Sequence, residues 1–429
     1  MQTLNLKKEY KKYPIYKDSG VEWIGKIPKD WNNEKFKFIA TYQKGKNPED
    51  LLLDQKDDTV PYLSMEYLRG SLENISYASP IERVLADDVD TILLWDGSNA
   101  GEFIKSKKGI VSSTSSVVKF NKKLDKKFGY YFSKSFEKFL RDQTNGMGIP
   151  HVDGALVVNS HYVFPLKDGQ DKIVNYLEEK TAIIDQIIEK KLNLIELLRE
   201  KRTAVINNAV TKGLDPKVDL VESGIDWIGK IPKGWEVKKL KFLGEAIIGL
   251  TYSPEEIVSE NGILVLRSSN VQHDLITLDD NVFVNKIIPK RLVTKVGDIL
   301  ICSRNGSRSL IGKNAVIDEN SAGLSFGAFM TVFRTKYSRF ISCFLKSNLF
   351  MSQLSTTLTS TINQLTTHYL NNIVTVVPPT EEQKKIVTYL DKKVAGYEKT
   401  IGQVEKSIEL LNEFKSSLIS NVVMGKVKV

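Results

Sequence analysis

Residues that build covalent or metal-based chemistry are scarce in this sequence. It contains two cysteines, Cys302 and Cys343, among 429 residues, which is too few for a disulfide framework. No two of its four histidines stand three or four positions apart, the spacing of a metal-binding pair on one helix face. No apolar run approaches the roughly 18 residues of a membrane-spanning helix, and the lysine-rich N-terminus lacks a signal-peptide pattern. We therefore expect a cytoplasmic protein with no metal site and no membrane association.

Motifs of common enzymes are also missing. The nearest approach to a phosphate-binding P-loop has five residues instead of four between Gly306 and Gly312, and Asn314 where magnesium requires a hydroxyl. An adenine methyltransferase would show Asn or Asp before Pro-Pro and an aromatic residue, but the Pro-Pro pair of this chain follows Val377 and opens a helical pattern. We predict that the chain contains no catalytic residue and binds no cofactor.

The sequence does contain one framework twice. The motif Ser-Gly-x-x-Trp-Ile-Gly-Lys-Ile-Pro-Lys-x-Trp starts at Ser19 and again at Ser223, 204 positions later. A second repeat, 213 positions apart, relates Lys172 to Lys385, each followed by Ile-Val-x-Tyr-Leu. This period far exceeds the roughly 20–50 residues of solenoid repeats. Because the residues between the motifs differ, two domain-sized copies of one framework suggest one mechanical role performed on two different targets.

Two long segments have apolar residues spaced alternately four and three positions apart, which predicts heptad helices of about 40 residues. The first runs from Asp168 towards Gly213, a plausible helix stop. A helix with one apolar stripe needs a partner, and each segment is the obvious partner of the other. Alternatively each helix packs on its own globule, but the heptads extend further than one globule would cover. We predict an antiparallel coiled coil. Its seam contains Ile173, Leu177, Ile184, Ile187, Leu194, Leu198, Ile386, Leu390, Val404, Ile408 and Leu411.

The segments outside the helices combine strand-like runs, such as residues 91–95 and 298–302, with helical spacing of phenylalanines that starts at Phe128 and at Phe340. The predicted fold class is α+β, with two globular mixed α/β domains joined by two long helices in a pseudo-two-fold arrangement. The predicted boundaries are 1–166 for the first domain, 167–213 for the central helix, 214–378 for the second domain and 379–429 for the C-terminal helix.

Charge and loop composition favour a nucleic-acid partner. The net charge is +9, and the two helical segments are close to neutral, so the excess lies in the globules. Several polar loops follow strand-like runs at similar places in both halves, and their Ser, Asn and Arg side chains are of the kinds that read base edges. The alternative is that these loops are ordinary turns. The candidates for DNA contact are Ser64, Arg69, Ser98, Asn99, Ser113 and Asn145 in the first half, and Arg267, Ser269, Asn270, Arg304, Asn305, Ser307, Arg308 and Asn363 in the second.

The duplicated tryptophan motif, together with Pro-Pro-x-x-Glu-Gln at positions 378–383, resembles the specificity subunits of type I restriction-modification systems. The resemblance covers nearly the whole chain, and the paired motifs in both halves make it specific. One departure is visible. The start of the first long helix keeps Pro165 and Gln170 but lacks the second proline and the glutamate.

The resemblance implies a division of labour. Two target-recognition domains would each read one half of a split, asymmetric sequence in double-stranded DNA, and the coiled coil would set the spacer. The chain would bind two methyltransferase subunits, which modify adenine with S-adenosylmethionine, and through that core two motor-nuclease subunits, which use ATP. It would itself be a non-catalytic subunit and carry none of these cofactors.

Two other interpretations stay open at this point. A stand-alone DNA-binding regulator with two recognition domains would bind DNA tightly without a methyltransferase. A coiled-coil scaffold that binds only protein would show no sequence preference and little salt dependence, whereas phosphate contacts make DNA affinity fall steeply with salt.

Overall fold

The computed structural model describes residues 11–144, 150–259, 261–357 and 363–429, and this part of the chain combines helices with small sheets. Its α-helices are α1 (Met65–Leu68), α2 (Lys126–Asp142), α3 (Gly154–Asn159), α4 (Lys167–Lys212), α5 (Ser338–Phe344), α6 (Asn348–Thr357), α7 (Thr367–Asn372) and α8 (Thr380–Val423). Helices α4 and α8 have 46 and 44 residues and correspond to the two heptad segments. The chain divides into two compact units. The first unit contains the described residues up to Lys191 together with Lys406–Val429, and the second contains Leu192–Glu405.

The strands of the first unit are β1 (Tyr16–Asp18), β2 (Lys26–Pro28), β3 (Asn32–Lys35), β4 (Ala40–Lys44), β5 (Val60–Leu63), β6 (Tyr77–Ala78), β7 (Leu85–Ala86), β8 (Thr91–Leu94), β9 (Phe103–Lys105), β10 (Gly109–Val111), β11 (Ser115–Phe120) and β12 (His161–Phe164). They form two four-stranded sheets, in the orders β6-β5-β10-β7 and β4-β11-β8-β9, and the two-stranded pairs β1-β2 and β12-β3.

The strands of the second unit are β13 (Leu220–Glu222), β14 (Lys230–Pro232), β15 (Glu236–Lys239), β16 (Gly244–Ile248), β17 (Ile257–Val258), β18 (Ile263–Leu266), β19 (Val271–Gln272), β20 (Leu275–Ile276), β21 (Phe283–Val284), β22 (Ile299–Cys302), β23 (Asn314–Val316), β24 (Ser325–Phe326), β25 (Met330–Thr335) and β26 (Val374–Val377). The sheet β16-β25-β22-β23 repeats the order of β4-β11-β8-β9, and β15-β26 repeats β3-β12. The duplication in the sequence is therefore a duplication of topology.

The core of the first unit joins α2 to the helix pair. The predicted phenylalanine face of α2 is buried, with Phe128 and Phe132 at 0% exposure, and it lies in one cluster with Leu177 of α4 and Val422 of α8. The cost of ordering these side chains is offset because large aromatic rings bury much apolar surface.

The two long helices pair inside each unit. In the second unit Ile206 and Val210 of α4 share a buried cluster with Ile386 and Leu390 of α8. In the first unit the Lys415 ammonium lies 2.6 Å from a carboxylate oxygen of Asp185.

Ion pairs in the second unit show the direction of the pairing. Arg199 contacts Glu405 at 3.3 Å, and Arg202, three residues further along α4, contacts Glu398 at 2.8 Å. Because the partner number falls as the α4 number rises, the helices are antiparallel.

The predicted seam residues are buried or half-buried in the structure, with one exception. Leu194 is 42% exposed, and its neighbour Ile195 occupies the buried position at 6%. That prediction of the seam was wrong by one residue, and the physical reason is the drift of a 3.6-residue helix against a 3.5-residue repeat.

Candidate nucleic-acid interface

Three polar loops of the second unit, those that follow β18, β22 and β24, meet at one edge of its sheets. Strands β18 and β24 are parallel, with Val265 opposite Ser325, so both end at the same edge. The loop after β22 joins them there, because the backbone N–H groups of Ser303 and Arg304 both donate to the carbonyl oxygen of Phe329, at 3.0 Å each. Side chains that are far apart in sequence are thereby brought together.

These loops enclose a cleft with a volume of about 1220 Å³. Five of the sequence-predicted residues line it. They are Arg267, Ser269, Arg304, Asn305 and Asn363. The walls mix guanidinium, hydroxyl and amide groups with aromatic surface, which is the chemistry used to contact base edges and phosphates.

Arg304 is held in a defined orientation by a neighbouring ring. Its guanidinium carbon lies 5.1 Å from the centre of the Phe329 ring, which is itself 58% exposed. A cation stacked on an aromatic face loses less conformational freedom when it binds a ligand. Sequence reasoning missed Phe329, because nothing in its local sequence distinguishes it from a core phenylalanine.

Arg267 is available only in competition with an internal partner. Its guanidinium contacts the Asp280 carboxylate at 2.8 Å, and both side chains are partly exposed. The Arg267 Nε and the Ser269 hydroxyl are enclosed in the wall and have no hydrogen-bond partner among the described residues. Buried polar groups normally have partners, so these two atoms are exceptions in the wall of the cleft.

Asn270 has a structural position, unlike its neighbours. It is 0% exposed. Its Oδ1 accepts from the Arg267 backbone N–H at 2.9 Å, and its Nδ2 donates to the Thr277 and Asp280 carbonyl oxygens at 3.0 and 3.2 Å. These bonds shape the loop, and they leave Asn270 no free group to offer to a base.

Two other predicted residues of the second unit, Ser307 and Arg308, are exposed but do not line the cleft. The Ser307 hydroxyl is 2.9 Å from that of Ser309, and the Arg308 guanidinium donates to the Ser355 carbonyl oxygen at 3.3 Å. Both residues lie on the loop that follows Arg304. In the same loop the Asn305 side-chain amide donates to the Ser268 hydroxyl at 3.1 Å.

The first unit has the same edge. Strands β5 and β10 are parallel, with Ile110 opposite Tyr62, as β18 and β24 are in the second unit. The loops after β5, β8 and β10 carry Ser64, Ser98 with Asn99, and Ser113.

The predicted residues of the first unit differ in their side-chain partners and in their exposure. Ser64 caps α1 by accepting from the Tyr67 N–H at 3.2 Å, and Arg69 pairs with Glu102 at 2.8 Å. Ser98 is exposed, whereas Asn99 and Ser113 are half-buried. Asn145 lies outside the residues that the structure describes.

Lys44 was not predicted for this edge, whereas Trp95 begins one of the polar loops that the sequence indicated. The Lys44 ammonium contacts Asp96 at 2.8 Å, in the loop after β8. The Trp95 and Tyr42 rings stack with centroids 4.8 Å apart. Gly154 lies close to this pair, and a side chain substituted there would collide with the Tyr42 hydroxyl. The pairing of β4 with β11 brings Lys44 here, and no signal in the local sequence indicates it.

The cysteines are poor nucleophiles in this fold. Burial raises the pKa of Cys343 to about 11 and raises that of Cys302 as well, so both are protonated at neutral pH. In the described ranges no three His, Cys, Asp or Glu side chains are grouped to hold a metal ion, and no helix there has the length and apolar character to cross a membrane.

Fold and loops together define a class, a duplicated α+β protein that presents in each copy a sheet edge with polar loops, the candidate recognition edge. The family model described as type I restriction modification DNA specificity domain matches residues 28–197 and again residues 232–409. The chain therefore belongs to the specificity subunits of type I restriction-modification systems, the components that recognise the DNA target.

Individual relatives agree with this family. The specificity subunit of the type I restriction enzyme MjaVIII from Methanocaldococcus jannaschii is 30% identical over 417 residues, 94% of each chain. The EcoKI specificity subunit from Escherichia coli is 30% identical over 207 residues, which cover 46% of this chain and 44% of that protein. A chain from a solved type I restriction-modification structure superimposes with a TM-score of 0.66 at 15% identity, over 92% of this chain and 98% of its own, and so shares the fold.

Proposed function

We propose that this chain directs a type I restriction-modification complex to a bipartite, asymmetric DNA sequence, with the first unit reading one half and the second unit the other. The observation that carries the proposal is that the same sheet edge presents different side chains in the two copies. The edge of the first unit carries Ser64, Ser98 and Ser113, whereas that of the second unit carries Arg267 and Arg304.

In this proposal the α4–α8 pair sets the length of the unread spacer. Both helices are continuous over more than 40 residues, and ion pairs connect them in both units. A packed antiparallel pair resists a change in length because every shift would expose apolar seam residues.

The proposed partners are two methyltransferase subunits that modify adenine and, through them, two motor-nuclease subunits. A framework that occurs twice in one chain suits two copies of an identical partner. This chain would itself be non-catalytic and would act in the cytoplasm, where the DNA is.

The proposal is tested by mapping methylated adenines in cells that carry the complete system with wild-type or altered specificity chains. Arg304→Ala should relax or change the bases of one half-site and leave the other half-site and the spacer intact. Arg69→Ala is the matched change in the first unit and should affect only the opposite half. If either substitution altered both half-sites, the division of labour would be contradicted, whereas no change with either substitution would show that these two arginines do not read bases.

A further inference from the structure

The same exposed aromatic residue occurs at the same place in both copies of the framework. Phe38 and Phe242 are 204 positions apart, end a Lys-x-Lys-Phe segment in each copy, and are 58% and 71% exposed. A single exposed phenylalanine is ordinary. The same exposed ring is present in both copies of the framework although the loops further along the chain have diverged, which indicates a reason common to both copies.

Each ring is presented on a rigid turn. Phe38 ends the 3-10 helix Phe36–Phe38, and Phe242 ends the 3-10 helix Leu240–Phe242. The first residue of each turn is buried, Phe36 at 1% and Leu240 at 0%. The following residues, Ile39 and Leu243, are buried as well, at 0% and 8%. Since residues on both sides are fixed in the core, the exposed ring cannot turn inward.

The backbone of the turn is anchored in the same way in both copies. The Phe36 N–H donates to the Ser160 carbonyl oxygen at 2.8 Å, and the Leu240 N–H donates to the Ile373 carbonyl oxygen at 2.9 Å. These acceptors directly precede β12 and β26, the strands that lead into α4 and α8.

A lysine lies against each ring. The Lys37 ammonium is 5.2 Å from the centre of the Phe38 ring, and the Lys241 ammonium is 5.1 Å from that of Phe242. An exposed aromatic ring beside a cation fits a partner that offers an apolar pocket rimmed by carboxylates.

The position of the rings favours a protein over DNA. Phe38 lies before the start of β4, whereas Lys44 at its end contacts Asp96 of the recognition edge. In the second unit Phe242 lies before the start of β16, and Leu250, just beyond its end, lines the cleft. Six to eight residues, most of them in extended strand, separate each ring from the recognition edge, which corresponds to at most roughly 20–26 Å at about 3.3 Å per residue. Phosphate contacts would need only the lysine, whereas aromatic side chains are enriched where proteins meet.

We infer that Phe38 and Phe242 are equivalent docking anchors for the two methyltransferase subunits. Phe38 inserts into a pocket of one subunit, and Phe242 inserts into the same pocket of the other subunit. The inference rests on the proposed function and deepens it, because it names the surface that each of the two partner copies contacts. The two anchors are independent, since each is complete within its own unit.

The experiment measures how many methyltransferase subunits of the same system bind the purified full-length chain, by mass photometry and titration calorimetry. Wild type should bind two copies. Phe38→Ala and Phe242→Ala should each retain one site and weaken the other by about ten-fold or more, and the double variant should weaken both. Ile287→Ala, at a residue that is 94% exposed but outside the framework, is the matched control and should bind as wild type. Whatever DNA binding the wild-type chain shows at low salt without its partners should be the same for all four variants.

If the double variant still bound two methyltransferase subunits with wild-type affinity, the inference would be overturned and the proposed function would remain intact. Loss of DNA binding in the phenylalanine variants, with methyltransferase binding unchanged, would also overturn it and assign the rings to DNA. Failure of wild type to bind any methyltransferase would instead refute the proposed function itself, and the inference with it. Because both rings are exposed, we expect the variants to unfold at the wild-type temperature, and a thermal scan verifies this.

Discussion

At the residue scale, Gln170 and Gln383 close the start of each long helix in the same way. The Gln170 side-chain amide donates to the Pro165 carbonyl oxygen at 3.0 Å, and that of Gln383 donates to the Pro378 carbonyl oxygen at 2.8 Å. Both glutamines are buried. These bonds satisfy polar groups that would otherwise be buried without partners, which explains why a glutamine stands at this place in both copies.

The glutamate of the Pro-Pro-x-x-Glu-Gln motif has a different partner, a tryptophan whose counterpart in the first copy has other neighbours. Glu382 accepts a hydrogen bond from the Trp235 indole N–H at 3.0 Å. The first copy has Gly169 at this place, and its Trp31 packs edge-on against Tyr13 with centroids 5.7 Å apart.

A glycine that packs against the repeated motif provides a stability prediction. Gly425 has φ +69° just beyond α8, and a Cβ there would lie 2.6 Å from Pro28 Cγ and 3.3 Å from Trp31. Gly425→Ala should destabilise the protein by roughly 2 kcal/mol or more, since a left-handed conformation alone costs an alanine about 1–2 kcal/mol before the overlap is counted. Urea denaturation measures the change.

Gly402→Ala is the control for that substitution. Gly402 lies inside α8 with open space around its Cβ position. Alanine there should stabilise the helix by about 0.5–1 kcal/mol. Equal effects of the two substitutions would show that Gly425 is not required for close approach.

At the element scale, the sequence determines the two long helices better than the face that each one buries. Heptad spacing and the absence of proline predicted α4 and α8 correctly. Between positions 192 and 198 of α4, however, five of seven residues are Leu or Ile. Periodicity alone cannot choose among them, and in the structure Ile195 is buried whereas Leu194 is exposed.

The recognition edge was predictable in part for a related reason. Polar loops after buried strands are visible in the sequence, but which side chains share a cleft depends on strand pairing. Arg304 and Phe329 are 25 residues apart and meet only because β22 pairs with β25. The burial of Asn270 is likewise set by a turn that no periodicity describes.

Lengthening the helix pair should lengthen the spacer. Seven residues of heptad sequence inserted after Lys191, with seven inserted after Glu405 to match, add about 10 Å at about 1.5 Å per residue, or about three base pairs at about 3.4 Å each. Methylation mapping should find both half-sites unchanged and the spacer longer by that amount. Insertion in one helix alone should break the seam register and reduce methylation at every site. An altered half-site with an unaltered spacer would contradict the role of the helices.

At the scale of the whole molecule, the charge distribution suits a polyanionic partner. The chain carries a net charge of +9, yet residues 168–212 contain eight acidic and eight basic residues and are neutral. The positive field therefore originates mainly in the two globular parts, which also present the polar loops. Such a field accelerates encounter with a polyanion and leaves sequence discrimination to the loops.

This distribution makes the salt dependence of DNA binding a test that separates globules from helices. Each phosphate neutralised contributes about 0.9 to the slope of log affinity against log salt, so a surface that contacts several phosphates loses orders of magnitude in affinity between about 50 and 200 mM salt. Lys44→Gln, beside the first recognition edge, should lower the slope by about one. Lys392→Gln, exposed on α8, should leave the slope unchanged.

The measurement is fluorescence anisotropy with a duplex that contains the mapped target, across a salt series, for the chain assembled with its methyltransferase partners. If the two substitutions lowered the slope equally, the phosphate contacts would not be confined to the globules. A slope near zero for wild type would instead be the behaviour of a scaffold that binds only protein.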